Sequence, residues 1–370
     1  MKYEGVLEID LKGAKTINIS SYLTTLGISD ALTGIYADGN ALTIDGVTVT
    51  GLVGSEKCTL LFKTESYDLE ATAKIYTLKI HNAQELYNMG ATLNNNKVDN
   101  GKGGYVSGGY YVLMNDITVA AGKTQQDHSP GLYITLTDGD SGFNGVFDGQ
   151  GYKIEGLRVY SPRTGSGANA GLNARGLFSN LTTGGVVKNV SITAGTVDAT
   201  NTIFGYNSKG SLENVRIHIE KAIYNGSQAP LFDNAILGGS LKNVFVTYGS
   251  SVTFAGNSNG LISSIIESGV TIEGLYVVGG YTSTSNTNPM ITWTKNKGTH
   301  DARYIAAMTK GGVKYGAYFA SATDFASGVE TIEHVAQAAT DVYKNQIASL
   351  FDSAIWDLSG TLPELKKLAE

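Results

Sequence analysis

The chain has 370 residues, among them 47 glycines, 21 tyrosines, five prolines and one cysteine, and only 16% of the residues are charged. Abundant glycine, frequent tyrosine and few charges favour an all-β fold with many turns. The 27 basic and 33 acidic residues give a net charge of −6 without a basic stripe, which argues against nucleic-acid binding. The single cysteine excludes an internal disulfide, and no apolar run reaches membrane-spanning length.

Residues 1–77 consist of short alternating segments separated by turn signals such as Asp38-Gly39-Asn40. This spacing predicts an immunoglobulin-like β-sandwich over residues 1–77. Cys58 lies on the apolar side of one segment, so we expect a buried, unreactive thiol. Sandwich modules of this kind commonly serve as spacers or docking units, and no site is predicted in this one.

A short amphipathic helix is predicted directly after the sandwich, in the stretch HNAQELYNMG. Asn82 and Glu85 have the spacing of a capping box, and Gly90 suits the end of a helix. One helix between two β regions is typical of a lid over the first coil of a solenoid, whose apolar end is otherwise bare.

A repeat follows this helix. Apolar triplets recur at steps of 26, 28 and 30 residues and end at Phe178, Phe204, Phe232 and Ile262. Each triplet precedes a strand whose first, fourth and sixth residues are apolar, as in VKNVSI from Val187 onward. A period of this length with several short strands per turn predicts a coil, with the four triplet residues stacked inside it.

The third residue of the repeated strand is Asn189, Asn214 or Asn243 in three copies, and Gly156 or Gly274 in the outer copies. Apolar residues at positions 1, 4 and 6 break the alternation of a strand, so the chain must bend between the first and the fourth. Asparagine and glycine both suit such a bend. The sequence therefore predicts an inward-turned ladder of asparagines that hydrogen-bond from coil to coil.

The Gly-Leu-Phe and Lys-Asn-Val patterns, with the segments 143–154 and 356–365, resemble the GLUG-type repeats of right-handed parallel β-helix proteins in the pectate-lyase-like superfamily. The resemblance implies a right-handed parallel β-helix over residues 78–322 with an N-terminal cap helix. Helix-spaced apolar residues between 340 and 352 predict a C-terminal cap over residues 323–370. Proteins with such repeats occur as bacterial surface proteins, adhesins and phage structural proteins, often beside immunoglobulin-like domains.

Catalytic groups are not evident in the pattern. Cleavage of a polysaccharide would need carboxylates or an arginine that converge on one groove. The densest acidic patch consists of Asp138, Asp140 and Asp148, and turn chemistry at coil corners explains all three. Arg216 has no acidic ladder beside it, and we expect His218 to lie beyond the end of a strand. We therefore predict no catalytic residue, no bound metal and no cofactor, with a polysaccharide lyase or glycoside hydrolase as the enzyme alternative.

Charged residues of opposite sign share one position of the repeated strand. Lys188 and Lys242 occupy this position in alternate coils, and Glu213 and Glu273 occupy it in the others. This alternation predicts charge pairing along an exposed face of the coil.

Tyrosines at or just after outward coil positions are the candidate binding residues: Tyr160, Tyr224, Tyr248, Tyr276 and Tyr281. Tyrosine rings near asparagine and serine suit stacking on sugars or contact with protein, and the alternative is that they shield the coil surface.

A rigid rod joined to a sandwich spacer is suited to display on a surface, so we expect a non-enzymatic, extracellular binding protein. The sequence opens without an export signal, which favours a phage fibre, spike or decoration protein over a bacterial cell-surface adhesin module. The expected partners are a cell-surface glycan or protein and other virion or surface proteins. Homo-oligomers are compatible with this role, whereas nucleic-acid binding and membrane insertion are not expected.

Overall fold

The structure is a computed structural model, and it describes residues 1–102, 104–119, 141–159, 177–178, 180–197, 202–205, 207–224, 231–254, 263–266, 270–283, 304–310, 313–319, 351–360 and 362–368. Within these ranges the chain is predominantly β-strand and contains two helices, which confirms the predicted all-β class.

The N-terminal unit contains eight strands and one short helix. They are β1 Lys2–Asp10, β2 Thr16–Asn18, α1 Ser20–Leu26, β3 Leu32–Ala37, β4 Asn40–Ala41, β5 Thr43–Asp45, β6 Thr48–Thr50, β7 Ser55–Thr64 and β8 Asp68–Tyr76. They form two sheets, ordered β1-β8-β7-β3-β4 and β2-β6-β5. Lettered A, B, C, C′, D, E, F and G in chain order, the sheets read A-G-F-C-C′ and B-E-D. This is the strand order of an immunoglobulin-like sandwich.

One apolar core joins the two sheets, with Ile9 and Phe62 from the larger sheet and Val49 from the smaller. Cys58 lies in this core with 4% of its surface exposed, and burial raises the pKa of its thiol to about 11. The prediction of a buried thiol is therefore confirmed. Helix α1 was not predicted, because its seven residues are too few for a clear apolar period. It ends at Gly27, whose φ of 69° lies in the left-handed region that glycine favours.

The rest of the chain supplies a long parallel sheet. Its bounds, with those of the elements beside it, are β9 Leu78–Ile80, α2 Ala83–Asn95, β10 Val98–Asp99, β11 Tyr105–Ser107, β12 Tyr110–Leu113, β13 Ile117–Thr118, β14 Gly142–Phe143, β15 Val146–Asp148, β16 Lys153–Val159, β17 Val186–Val197, β18 Asn207–Ser208, β19 Ser211–Tyr224, β20 Phe232–Ile236, β21 Ser240–Phe254, β22 Ser263–Ile266, β23 Thr271–Ser283, β24 Tyr304–Lys310, β25 Val313–Phe319, β26 Trp356–Asp357 and β27 Glu364–Leu365. The sheet has 11 strands, and its main path is β9-β12-β15-β17-β19-β21-β23-β24-β25.

Successive turns of the chain stack directly on one another. Between β18 and β23 the chain alternates between a three-stranded parallel sheet, ordered β18-β20-β22, and the long sheet. Leu212, the first apolar residue of one repeat, pairs with Val187 below it and Leu241 above it. Each turn thus adds one strand to each sheet, as a parallel coil requires.

The predicted interior stack lies in the main apolar core. Phe178, Phe204 and Phe232 have no exposed surface, and the Phe204 and Phe232 rings lie 5.8 Å apart. Phe178 stacks on Phe143 at 4.2 Å, which extends the stack toward the N-terminal end. The fourth predicted residue, Ile262, lies outside the described residues.

The predicted asparagine ladder is present. Nδ2 of Asn243 donates to Oδ1 of Asn214 at 3.2 Å, and Nδ2 of Asn214 donates to Oδ1 of Asn189 at 3.2 Å. All three residues have φ between 51° and 53°, in the left-handed region that asparagine tolerates better than most residues. Nδ2 of Asn189 in turn donates to Oδ1 of Asp148 at 3.1 Å, so a buried carboxylate ends the ladder.

The predicted placement of Gly156 at the strand position of the ladder asparagines is wrong. The sheet register pairs Ile154 with Ile192 rather than with the start of the repeat, and Asp148 stands opposite Lys188. Gly156 does have a left-handed φ of 71°, but it lies at a separate irregularity between Ile154 and Leu157. The shorter turn of this coil hid the offset from the sequence.

Helix α2 packs its buried residues Leu86, Met89 and Leu93 on the main core, as expected of a lid. Its N-cap is Asn82, whose Oδ1 accepts from the backbone N–H of Glu85 at 3.0 Å. The helix does not end at Gly90, which is buried in its interior, and it continues to Asn95. Tertiary burial therefore overrides the weak helix propensity of glycine at this position.

The C-terminal segment, predicted as a cap, is described for residues 351–360 and 362–368. Its described residues cross the outer face of the long sheet: Phe351 contacts Phe245 with ring centroids 6.1 Å apart, and Pro363 accepts a hydrogen bond from Arg216. Phe245 is fully buried although it points away from the main core, because Phe351 covers it. The described part of the segment therefore packs on Phe245, at the side of the long sheet, rather than on an end of the stacked coils. Residues 320–350 lie outside the described ranges, so the helical part of the predicted cap is not tested.

The sandwich joins the coil without a linker, since only Thr77 separates β8 from β9. The Tyr76 ring stacks on Tyr110 at 5.5 Å, which places the last strand of the sandwich against the first coils. Nζ of Lys188 lies 2.7 Å from a carboxylate oxygen of Glu56, which adds an ion pair between the two units. Ring stacking and an ion pair therefore both connect the two units across the junction.

Candidate binding cleft

A cleft of about 650 Å³ lies between the outer face of the long sheet and the C-terminal segment. The sheet contributes residues from β16, β17, β19 and β21, and the C-terminal segment contributes two. The lining consists of Lys153, Glu155, Gly156, Ser191, Thr193, Arg216, His218, Glu220, Thr247, Tyr248, Leu362 and Glu364. Most of these side chains are polar, so the cleft suits a hydroxylated or charged ligand better than an apolar one.

The register of the parallel strands explains why these side chains meet. Arg216 pairs with Ser191 on one side and Phe245 on the other, and His218 pairs with Thr193 and Thr247. Residues two apart on a strand point to the same face, and paired strands lie about 4.8 Å apart. The outward residues of three coils therefore form two columns that run along the floor of the cleft.

Arg216 is half-buried on this floor. Its Nε donates to the carbonyl oxygen of Pro363 at 3.1 Å, which fixes one edge of the guanidinium against the C-terminal segment. Burial lowers the pKa of Arg216, and the nearby Glu364 carboxylate opposes this shift. Among the described residues none forms an ion pair with Arg216, so its charge is partly desolvated without a direct counterion.

His218 lies in the adjacent column within β19, not beyond a strand as the sequence suggested. Its Nδ1 is 2.8 Å from Oγ1 of Thr247, and this hydroxyl donates to the carbonyl oxygen of Ile217 at 3.2 Å. Burial, with a smaller effect of the Arg216 charge, lowers the pKa of His218. The neutral form of the imidazole therefore predominates at pH 7.

Three carboxylates border the cleft. Glu364 lies 3.4 Å from Nζ of Lys153, in an ion pair between the C-terminal segment and β16. Glu155 and Glu220 are solvent-exposed. The structure thus brings an arginine and several carboxylates to one groove, which is the arrangement that the sequence pattern did not reveal.

The five predicted tyrosines are not gathered at this cleft. Tyr248 does line it, but only 4% of its surface is exposed and it belongs to the main core. Tyr248 directly follows the outward Thr247 and lies on the inward side shared by Val244 and Val246, because β21 continues without a turn. Tyr224, Tyr276 and Tyr281 lie in strands whose side chains at these positions are not described, and Tyr160 lies outside the described residues. Their role in binding stays a prediction.

Asp148 has a structural role. Its Oδ1 accepts from the backbone N–H of Gln150 at 3.0 Å and from Asn189, and its other oxygen lies 3.4 Å from the hydroxyl of Tyr110. The first of these contacts is the turn interaction that the sequence predicted. Asp138 and Asp140 lie outside the described residues. In the described part of the chain, no three His, Cys, Asp or Glu side chains are grouped closely enough to hold a metal ion.

The predicted charge pairing is present once and altered once. Lys242 lies 3.3 Å from Glu213, as the alternation predicts. Lys188 has Glu213 as one register partner but lies 2.7 Å from Glu56 of the sandwich and 3.7 Å from Asp148, its register partner on the other side. The sandwich thus supplies an additional ion-pair partner to one member of the row.

Comparisons with protein-family models, with curated proteins and with solved structures returned no match for this chain. No described helix is both long and apolar enough to cross a membrane. Fold and site geometry therefore carry the functional argument.

Proposed function

We propose that the protein is a surface-displayed, non-enzymatic binding protein whose coil presents the side cleft to a glycan. The observation that carries this proposal is the cleft itself, which lies on the side of a stacked sheet and is lined mostly by polar side chains. Glycans are extended and bear many hydroxyl groups, so they match a floor built from alternating serine, threonine, histidine and arginine side chains. A cell-surface protein ligand is the other partner class that we expect.

Display on a surface is supported by the rigid connection between the two units. The stacked pair of Tyr76 and Tyr110 and the Lys188–Glu56 ion pair restrain the junction. The asparagine ladder ties three successive coils along the axis. A spacer without a flexible linker keeps the cleft at a fixed distance from the attachment point.

We further propose that the coil is a right-handed β-helix of the GLUG type. Its setting would be a phage virion, as a fibre, spike or decoration protein, with a bacterial adhesin module as the alternative. Immunogold labelling of purified virions and of intact host cells distinguishes the two settings. Label on cells alone would contradict the virion assignment.

Polysaccharide cleavage is the second candidate, and the convergence of Arg216, His218 and Glu220 on one cleft favours it. It ranks below binding because a general acid is normally kept protonated by burial or by a neighbouring carboxylate, whereas Glu155 and Glu220 are both exposed. Reducing-end assays and ultraviolet detection of unsaturated sugar ends on uronate polymers, with and without Ca²⁺, test it. Activity that disappears in Glu220→Gln would establish the enzyme and overturn the non-enzymatic proposal.

Binding is tested with the full chain on a glycan array. Thr193→Trp places a large side chain in the cleft, and Thr43→Trp makes the same change on an exposed strand of the sandwich. We expect glycan binding by the wild type and by Thr43→Trp and its loss in Thr193→Trp. Equal binding by all three proteins would show that the cleft is not the site.

A further inference from the structure

Arg216 has more hydrogen-bonding capacity than the described residues use. Nε is occupied by the Pro363 carbonyl, but no described residue accepts from the two terminal nitrogens. These nitrogens belong to a side chain that lines the cleft, and Glu364, the carboxylate that acts on Arg216 electrostatically, is paired with Lys153. A planar fork of N–H groups without a counterion is the group that binds carboxylate or sulfate with two parallel hydrogen bonds.

His218 offers the complementary group. The Ile217 carbonyl can only accept, so the Thr247 hydroxyl must use its single proton there. The same oxygen must then accept from His218, which places the imidazole proton on Nδ1. In the neutral ring Nε2 is consequently an acceptor, and it has no partner among the described residues.

The two groups are spaced for one ligand. Arg216 and His218 are two residues apart on β19 and both line the cleft, so they are separated by about 7 Å along the strand. A ligand that spans them must carry an anionic group at one point and a hydroxyl donor a short distance away. Acidic sugars have this combination in a single residue.

We infer that the cleft is selective for acidic glycans, with the anionic group on the terminal nitrogens of Arg216 and a neighbouring hydroxyl donating to Nε2 of His218. This inference rests on the proposed function and adds the ligand class to it. The anion is a carboxylate or a sulfate, since both accept from an arginine fork. Neutral glycans leave the half-buried guanidinium without a counterion and bind more weakly.

Isothermal titration calorimetry of the full chain with three matched tetrasaccharides tests the inference. The first tetrasaccharide consists of glucuronic acid units, the second of glucose units with a 6-sulfate, and the third of unmodified glucose units. We expect the carboxylated or the sulfated probe to bind, and the neutral probe to bind at least about 10-fold more weakly, as the loss of charge-assisted hydrogen bonds requires. The stronger of the two acidic probes identifies the anion.

Variants locate the contact. Arg216→Gln should weaken the acidic probe about 10- to 100-fold and leave the neutral probe unchanged. Lys242→Gln removes the same charge from an exposed residue outside the cleft and should leave both unchanged. His218→Asn keeps an N–H toward Thr247 but lacks Nε2, so it should weaken binding of the acidic probe. His218→Gln retains a distal acceptor and should weaken binding of that probe less. Circular dichroism confirms that each variant is folded.

Failure of the acidic selectivity can be distinguished from failure of the proposed glycan binding. Equal affinity for neutral and acidic probes, or equal losses in Arg216→Gln and Lys242→Gln, would overturn the acidic selectivity and leave glycan binding intact. If no probe binds and the glycan array is also blank, the proposed function fails together with the inference.

Discussion

Removal of one amide from the asparagine ladder is the sharpest test of how the coils are held together. In Asn214→Gly the left-handed backbone is retained, because glycine accepts a φ of 53° without strain. The change removes two hydrogen bonds, one donated to Asn189 and one accepted from Asn243. The variant therefore measures the side-chain ladder with little change in backbone preference.

The magnitude follows from burial. Asn189 and Asn214 are 8% and 4% exposed, so Oδ1 of Asn189 would lose its partner in a place that water hardly reaches. A buried polar atom without a partner costs about 1–3 kcal/mol. Asn243 is half-buried and its freed amide can be hydrated, so the whole change should cost about 2 kcal/mol. Asn214→Ala should cost about 1 kcal/mol more, because alanine disfavours the left-handed region.

Urea unfolding followed by circular dichroism measures these differences. Lys12→Gly is the matched control, since Lys12 is exposed and has a φ of 52° but no ladder contact. Its free energy of unfolding should change by less than about 0.5 kcal/mol. If Asn214→Gly changed stability no more than Lys12→Gly does, the amide ladder would contribute nothing net and the reasoning would be refuted.

Three further outcomes are expected. Phe204→Ala should lower the free energy of unfolding by about 3–5 kcal/mol, because its ring is fully buried; a thermal or urea measurement below about 1 kcal/mol would contradict the interior stack. The pKa of His218 is lowered in the folded state, so as pH falls the imidazole is protonated in the unfolded chain before it is protonated in the folded chain. The contribution of His218 to stability is therefore present above about pH 6.5 and decreases as pH falls. His218→Asn should therefore lose less stability than the wild type between pH 7 and pH 5, and identical pH profiles would contradict this. A double-mutant cycle of Glu56→Gln and Lys188→Gln should give a coupling free energy of no more than about 1 kcal/mol, because Glu56 is half-exposed. A coupling free energy above about 2 kcal/mol would contradict this and show a stronger ion pair at the junction.

The parallel coil could be predicted from the sequence because its determinants are local and repeat. The triplet ending at Phe204 and the strand containing Asn214 recur in neighbouring copies, and equal spacing places like residues above one another. The asparagines were informative for the same reason, since a left-handed bend accepts few residue types. The sandwich was predictable from turn spacing, whereas helix α1, at seven residues, was too short to leave a period.

The cleft could not be predicted, because its members come from positions with no common spacing. Arg216 and His218 belong to the repeat, but the wall formed by Leu362 and Glu364 comes from a segment about 150 residues further along the chain. That segment crosses the sheet where Phe245 leaves an apolar side chain on the outer face, and its Pro363 carbonyl then fixes the guanidinium of Arg216. The repeated strand thus determined by itself which side chains point outward. Only the tertiary structure decided which of them are enclosed, because enclosure depends on burial against a distant segment that no local pattern records.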